Sequence, residues 1–351
     1  MVDSKTSSVT IVMLNWNTSD DTRECLDSLL KLDYPKFDLI LLDNASKPAD
    51  VAKMVEHWRV FDEGVSKDKI MKMDPVLNRR DSSIDFIKSS ESCDGRKWWL
   101  LLNDMNYGFA EGNNMGIRFQ MERCRSDFYL LLNNDTVVDP EFLRKMIEHA
   151  ELRKDIGILG PMVYYYDFHG RKDTINMLGG IVDVSKGIAK HLAQTEVDKG
   201  QYQEPRKVDW VEGSCMLIRT SAMDQIGMLN ANYFAYWEEL DLCMRAAENG
   251  IGVAAVPSAK IWHKVSASTK GTAKNYYFYR NRFWFVKDHG NYATRMKFSS
   301  QYFIKVFPKE LLSVLNSGKK WAYYTAFARG IFDGLIKSSQ TPVNWNAKVK
   351  K

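Results

Sequence analysis

Four short apolar runs, Val9–Leu14, Phe37–Leu42, Trp98–Leu102 and Phe128–Leu132, each end in asparagine or aspartate. Runs of this length and apolar content, without polar alternation, predict strands buried on both faces, as in parallel sheets. Helical patterns separate them. Ser19 is placed to cap a helix with Asp20 and Asp21 in its first turn and Cys25, Leu26, Leu29 and Leu30 as its apolar stripe. A Gly/Asn-rich loop from Asn103 to Asn114 feeds a helix through Arg123, and Asp139-Pro140 predicts a helix with proline at its first position. Strand–helix alternation predicts an open α/β sheet, in which ligands bind outside the carboxyl ends of the strands. Asn15-Trp16-Asn17, Asp43-Asn44, Asn103 and Asn133-Asn134-Asp135 would line that rim.

The second half changes character. Ile158–Tyr166, Ile181–Ala193 and Val208–Arg219 read as β-rich excursions with glycine turns. Tyr236–Glu248 reads as a helix closed by Gly250, and Gly252–Pro257 as a strand leading to Ile261-Trp262-His263. The chain is mostly helical from Asn275, and Trp321, Tyr324, Phe327, Ala328, Ile331 and Leu335 form an amphipathic stripe. The polar stretch Asp62–Lys97 reads as an insertion, partly ordered at best.

The charge is segregated. Ile261–Lys351 carries 17 Lys and Arg against 3 Asp and Glu, whereas the remainder carries 32 against 41. The basic segment is rich in aromatics, including Trp284, Phe303, Phe307, Trp321, Tyr324 and Phe327. That combination points to a membrane surface or another anionic partner, or to a solvated basic face over an ordinary core. The five cysteines are odd in number and scattered without a CxxC pair. This argues against a disulfide framework or zinc site and suits a reducing compartment. The first eight residues contain no apolar stretch, so no secretory leader is expected, and no run approaches the ~20 apolar residues of a membrane span.

Asn133 and Asp135, two apart at a strand tip, point the same way. One carboxylate and one amide oxygen suit a weak site for a hard divalent cation that keeps positions for water and phosphate. His263 could add a nitrogen ligand, which suits Mn²⁺ as well as Mg²⁺. Taken alone, Asp135 has about a one-in-three chance of being an N-cap or turn residue, and a lone His263 is more often a satisfied core histidine. Glu238, Glu239 and Asp241 crowd a helix start, where the helix dipole favours negative charge. One of them would face the crevice as a base, and another would cap the helix or pair with Arg245. The turn Asn15-Trp16-Asn17-Thr18-Ser19 lacks the GxGxxG of a nicotinamide enzyme.

Together these residues resemble the family 2 glycosyltransferases with a GT-A fold, particularly rhamnosyltransferase-like and galactofuranosyltransferase-like members. The matching pieces are Val12–Asn17, Leu42–Ser46, Asn106–Asn114, Leu131–Asp135, Glu212–Cys215, Phe234–Leu242 and Trp262-His263, in order from Val9 to about Phe285. The resemblance implies a mixed sheet flanked by helices over residues 1–268, with a donor half to about 139 and an acceptor half from about 140. A basic, aromatic helical extension over 269–351 would follow. It implies an inverting transfer from a UDP- or dTDP-sugar, with a rhamnose-like donor favoured. The acceptor would be a hydroxyl of a growing or lipid-linked glycan.

The same resemblance assigns roles. Asp135, Asn133 and His263 would hold Mg²⁺ or Mn²⁺, with Asn133 replacing the first Asp of the family's DXD motif. Asn15, Asn17, Asp43, Asn106, Gly108, Asn113, Asn133 and Asn134 would bind the donor, Asp43 through its pyrimidine. Glu239 falls where the family places an Asp base, with Glu238 as the fallback, and Trp237 and Asp241 lie on the acceptor side. A cytoplasmic protein is expected, with peripheral contact to an anionic membrane and no nucleic-acid partner. The replacements at Asn133 and Glu239 also admit a non-catalytic sugar-nucleotide- or glycan-binding descendant.

Overall fold

The computed structural model describes residues 6–61, 70–72, 97–265, 272–315 and 321–340. In chain order the elements are β1 (Val9–Asn15), α1 (Ser19–Leu29), β2 (Phe37–Asp43), α2 (Pro48–Phe61), β3 (Ile70–Lys72), β4 (Trp98–Leu102), α3 (Gly108–Arg123), β5 (Phe128–Asn133), β6 (Thr136–Val138) and α4 (Phe142–Leu152). The second half adds β7 (Ile156–Tyr165), β8 (Ile175–Met177), β9 (Gly180–Asp183), β10 (Ile188–His191), β11 (Arg206–Lys207), β12 (Cys215–Arg219), α5 (Thr220–Ile226), α6 (Glu238–Glu248) and β13 (Gly252–His263). The chain then forms α7 (Thr272–His289), α8 (Tyr292–Gln301), α9 (Phe307–Leu315) and α10 (Trp321–Ile336).

The main sheet runs β11-β13-β7-β12-β5-β1-β2-β4-β3. β3, β4, β2, β1 and β5 are mutually parallel, while β12 pairs antiparallel to both β5 and β7. The chain builds from β1 outward through β2 and β4, then returns to place β5 on the other side of β1. This reversal of direction makes a crevice at the carboxyl ends of β1 and β5. Register aligns the strand tips, with Asn15 opposite Asp43 and Leu14 opposite Asn133. Strand interiors are dry: Ile11, Val12, Met13, Leu39–Leu42 and Phe128–Leu131 are buried, because both sheet faces are covered. Gly116 in α3 lets that helix lie directly on β1, since a Cβ there would come within 2.6 Å of Val12.

Several expectations need correction at their edges. The helix after β1 starts at Ser19, but it is capped by Asp50 of α2, whose Oδ1 accepts from Ser19 N at 3.0 Å. Pro140 precedes α4 instead of opening it, and Asp139 accepts from Glu141 N at 3.0 Å. The loop expected to run to Asn114 yields to helix at Gly108, because Phe109 N and Ala110 N donate to Phe234 O at 2.7 and 3.2 Å. A distant carbonyl thus caps α3, which local sequence cannot announce. The stripe on α10 is split: Phe327 and Ile331 are buried, but Trp321 and Leu335 face out. Cys124 is disulfide-bonded, contrary to the expectation from cysteine spacing, while Cys25, Cys215 and Cys243 are buried free thiols. Spacing along the chain says nothing about which thiols the fold brings together. Most of the polar insertion and the expected domain boundary near Ser268 lie outside the described residues.

Gly108 has φ +80°, and a Cβ there would come within 2.4 Å of Phe234 O. Gly108→Ala is expected to lower stability by about 1–3 kcal/mol, seen as a reduced urea midpoint with an unchanged slope. An unchanged midpoint would show that α3 and the Phe234 loop are not rigidly joined.

Candidate active site

The donor-side residues meet at the crevice, but most of their side chains hold the crevice together. Asn15 is fully buried and donates to Asp43 Oδ1 at 2.8 Å and Asp50 Oδ2 at 3.0 Å. Its carbonyl oxygen accepts from Thr22 Oγ1 at 3.0 Å and Asn134 Nδ2 at 3.2 Å. Asp43 also accepts from Ser46 N at 3.0 Å, and Asn17, at φ 60°, accepts from Lys47 N at 2.8 Å. Asn134 donates to Thr18 and Thr22, bracing the β5–β6 turn against α1. Asn106 accepts from Gly108 N at 2.8 Å and from Asn44 at 3.0 Å, and Asn113 is buried against Phe109 O. Trp16, at the same rim, is 44% exposed and offers an aromatic face to solvent.

Asn134 and Asp135 form the tight turn between β5 and β6, and β6 pairs with the end of β13. His263 lies opposite Thr136 in that pairing, so its ring reaches Asp135. Nε2 is 3.1 Å from Asp135 Oδ1, and Nδ1 is 3.8 Å from Glu212 Oε1. Burial would lower the His263 pKa, but the two carboxylates outweigh it and raise it to about 10. Two carboxylates therefore demand positive charge between them, which a proton or a divalent cation can supply. Among the described residues, no three acidic, His or Cys side chains form a preformed cage. Asn133, half-exposed at the strand end, is the remaining oxygen donor nearby in sequence. Two protein ligands with open positions fit a cation completed by water and phosphate.

The carboxylates of Glu238 and Glu239 sit at the first turn of α6. The approach to that helix is strained: Phe234, Tyr236 and Trp237 have φ of 69°, 68° and 77°. Such conformations persist only where surroundings impose them. Asn281 Nδ2 from α7 lies 2.9, 2.9 and 2.7 Å from the carbonyls of Tyr233, Ala235 and Tyr236. Arg280 donates to Asn232 O and Tyr233 O, with its guanidinium 3.9 Å from the Trp284 ring centre. Burial raises the pKa of both glutamates, that of Glu239 to about 7, against the lowering effect of backbone N–H groups at the helix start. Glu238 is almost wholly buried, whereas Glu239 is partly exposed as a residue although its Oε2 is buried, so Glu239 lies the nearer of the two to solvent. Each has one carboxylate oxygen without a hydrogen-bond partner.

Asp241 turns away from this role. Its carboxylate is buried and pairs with Arg245 at 2.8 Å and His289 Nε2 at 3.1 Å, tying α6 to α7. Trp237 packs on Phe278 and Phe285, beneath the loop. Sequence reasoning named Glu212 only as part of a motif and passed over Asn281 and Arg280. The Arg-Asn pair inside a helical, aromatic run was the signal present for the latter. Glu212 accepts from Ser214 Oγ at 2.9 Å, and its charge helps raise the Glu239 pKa. It therefore links the His263 cluster to the carboxylates of α6.

A nucleotide-sugar-transferase fold of the GT-A type is defined by this sheet, its crevice and its solved counterparts. The mannosyltransferase PcManGT from Pyrobaculum calidifontis, in complex with GDP-Man and Mn²⁺, superposes at TM-score 0.53 and 12% identity. That match covers 95% of this chain and 87% of that one. S. aureus TarS in complex with UDP gives 0.52 and 13%, covering 93% and 80%. Residues 75–280 match glycosyltransferase-like family 2, and the chain belongs to that family. The low-salt glycan biosynthesis hexosyltransferase Agl10 of Haloferax volcanii is 28% identical over 51% of this chain and 56% of its own length. The rhamnosyltransferase WbbL of Escherichia coli is 26% identical over 55% and 73%. An N-acetylglucosaminyl-diphospho-decaprenol L-rhamnosyltransferase of Mycobacterium tuberculosis is 29% identical over 41% and 48%. The matched segment thus spans about half the length of the first and third of these relatives.

Asn281→Ala removes this side-chain donor from the Ala235 and Tyr236 carbonyls, and one of several from Tyr233 O, and is expected to cost about 1–3 kcal/mol in urea denaturation. Asn281→Asp, which sets a carboxylate against those carbonyls, is expected to cost more. Equal stability of both variants with wild type would show that the loop is held by other contacts.

Proposed function

We propose that this protein is an inverting, metal-dependent glycosyltransferase that uses a UDP- or dTDP-sugar, with a rhamnose-like donor favoured. The observation that carries this reading is the meeting of Asp135 and His263, which Glu212 links to a second carboxylate, Glu239, whose pKa is raised to about 7. The named activities of the relatives, rhamnosyl and hexosyl transfer, agree with it. Asp135 and His263, with Asn133, would hold the cation. Bound there, it would neutralise charge on the departing diphosphate. Glu239 takes the proton of the acceptor hydroxyl while that oxygen attacks the anomeric carbon. The bond to the diphosphate oxygen breaks on the opposite face, carrying its electron pair away, and the configuration inverts. A base with a near-neutral pKa is suited to this task.

The acceptor proposed is a growing or lipid-linked glycan, met at an anionic membrane surface. All three acids of the C-terminal segment are used internally. Asp288 accepts from Tyr233 OH and Ser339, Glu310 pairs with Arg282, and Asp333 pairs with Lys337. The cations Lys297, Lys305, Lys309 and Arg329 remain exposed, among exposed Tyr292, Ile304, Trp321, Phe332 and Ile336. Such a surface suits anionic headgroups and the acyl boundary beneath them. No helix among the described residues is long and apolar enough to cross a membrane. Deleting the segment would be a poor test, because Tyr302, Phe327 and Ile331 are part of the core.

Calorimetric titration with UDP and dTDP, with and without Mn²⁺, tests the donor site. Metal-dependent binding of one nucleotide, lost in Asp135→Ala, is expected, and no binding of either would refute the reading. Glu239→Gln is expected to lower kcat by about 10²–10⁴-fold while leaving nucleotide binding intact. Because the base acts deprotonated and burial raises its pKa, wild-type kcat is expected to fall as pH drops through about 7. A flat profile between pH 6 and 8 would remove Glu239 as the base. Flotation with anionic vesicles is expected to recover wild type but not Trp321→Glu/Phe332→Glu; equal recovery would exclude this surface.

A further inference from the structure

His263 is gripped from two sides, and only one side belongs to the cation site. Nε2 lies 3.1 Å from Asp135 Oδ1, close to the roughly 3 Å between adjacent ligands of an octahedral ion with bonds of about 2.1 Å. Nδ1 points the other way, toward Glu212 Oε1 at 3.8 Å, and is buried without a hydrogen-bond partner. The two nitrogens of an imidazole diverge, so a cation on Nε2 leaves Nδ1 and Glu212 to each other.

We propose that Glu212 is the positioning residue of this site. Once Nε2 is given to a cation, Nδ1 carries the proton, and Glu212 accepts it as a hydrogen bond. That contact fixes the tautomer and the plane of the ring and makes Nε2 a better donor to the cation. The inference rests on the assignment of Asp135 and His263 as ligands. It requires the carboxylate to close by somewhat less than 1 Å to hydrogen-bond distance.

The local fold holds Glu212 for this purpose. Its Oε2 accepts from Ser214 Oγ at 2.9 Å, which leaves Oε1 for His263. Ser214 O in turn accepts from Asn133 N at 2.9 Å, and Cys215 lies opposite Leu132 in the sheet. The turn that carries Glu212 is therefore clamped to the strand that ends in Asn133, just before the turn that holds Asp135. The side chain of Glu212 is 22% exposed and that of His263 only 8%, so the contact lies where water weakens it little.

Mn²⁺ titrated into the full chain with saturating UDP, and in parallel with dTDP, and followed by the signal of free Mn²⁺ in electron paramagnetic resonance, tests the proposal. Glu212→Gln, nearly the same shape, is expected to weaken Mn²⁺ by about 10–100-fold. It should also diminish the ¹⁴N modulation of the bound Mn²⁺ spin echo, and metal-free nucleotide binding should not change. Glu212→Asp is expected to recover part of the affinity. If Glu212→Gln keeps wild-type affinity and ¹⁴N modulation while His263→Ala and Asp135→Ala lose them, the positioning role is overturned and the metal site stands. If Glu212→Gln abolishes Mn²⁺ binding as completely as Asp135→Ala, Glu212 is a ligand and the positioning role is again wrong. If neither Asp135→Ala nor His263→Ala affects Mn²⁺, both the site and the proposal fall.

Discussion

The backbone from Asn232 to Trp237 is the constraint on which the rest of this structure depends. Three non-glycine residues there occupy positive φ, a conformation that relaxes unless its carbonyls are held. Asn281 and Arg280 hold them from α7, and the amides of Phe109 and Ala110 hold Phe234 O from α3. The same segment therefore caps one helix, starts another and docks a third. Its geometry decides where Glu238 and Glu239 emerge, and it couples the α3 loop to α6. The C-terminal helices are in this sense part of the crevice, even though their own side chains lie behind it.

Electrostatics at the crevice follows from a contest between burial and partners. Burial raises the pKa of Glu239, and the nearby Glu212 adds to the effect, while backbone N–H groups at the helix start oppose it. For His263 the contest ends the other way, because two carboxylates overcome the cost of burying a charged ring. Neighbouring groups are thus held with opposite preferences, a carboxylate that binds its proton more tightly than usual and a cluster that favours a positive charge. Such separation of tendencies is a mark of sites that handle protons and anions. A cavity of about 400 Å³ between α7, α8 and the end of α10 is lined by Phe283, Lys287, Arg295 and Leu335. None of its lining residues belongs to the strand tips.

Much of this was legible in the chain itself. The apolar runs that became β1, β2, β4 and β5 were readable because strands buried on both faces need no alternation, and their polar tips marked one rim. The motif order revealed the family, and Arg245 was correctly read as a partner for one of the α6 acids. The failures share a cause. Gly108 begins a helix because Phe234 O, more than a hundred residues away, satisfies its first amides. The mutual bracing of Asn15 and Asn134 across β1, α1 and the β5–β6 turn was not legible either. Hydrogen bonds between distant segments have no local signature.

What the sequence by itself determined is the set of chemical groups and the elements that carry them. Buried strands follow from runs of Val, Ile, Leu and Phe, and the rim follows from where those runs stop. Tertiary structure alone decided which groups face each other. The turn before β12 brings Glu212 beside His263, the β6–β13 pairing brings Asp135 to the same ring, and α7 holds the strained loop before Glu239. Distance and burial set pKa, hydrogen-bond reach and the demand for a cation, and these quantities depend on folded positions that spacing along a chain does not encode.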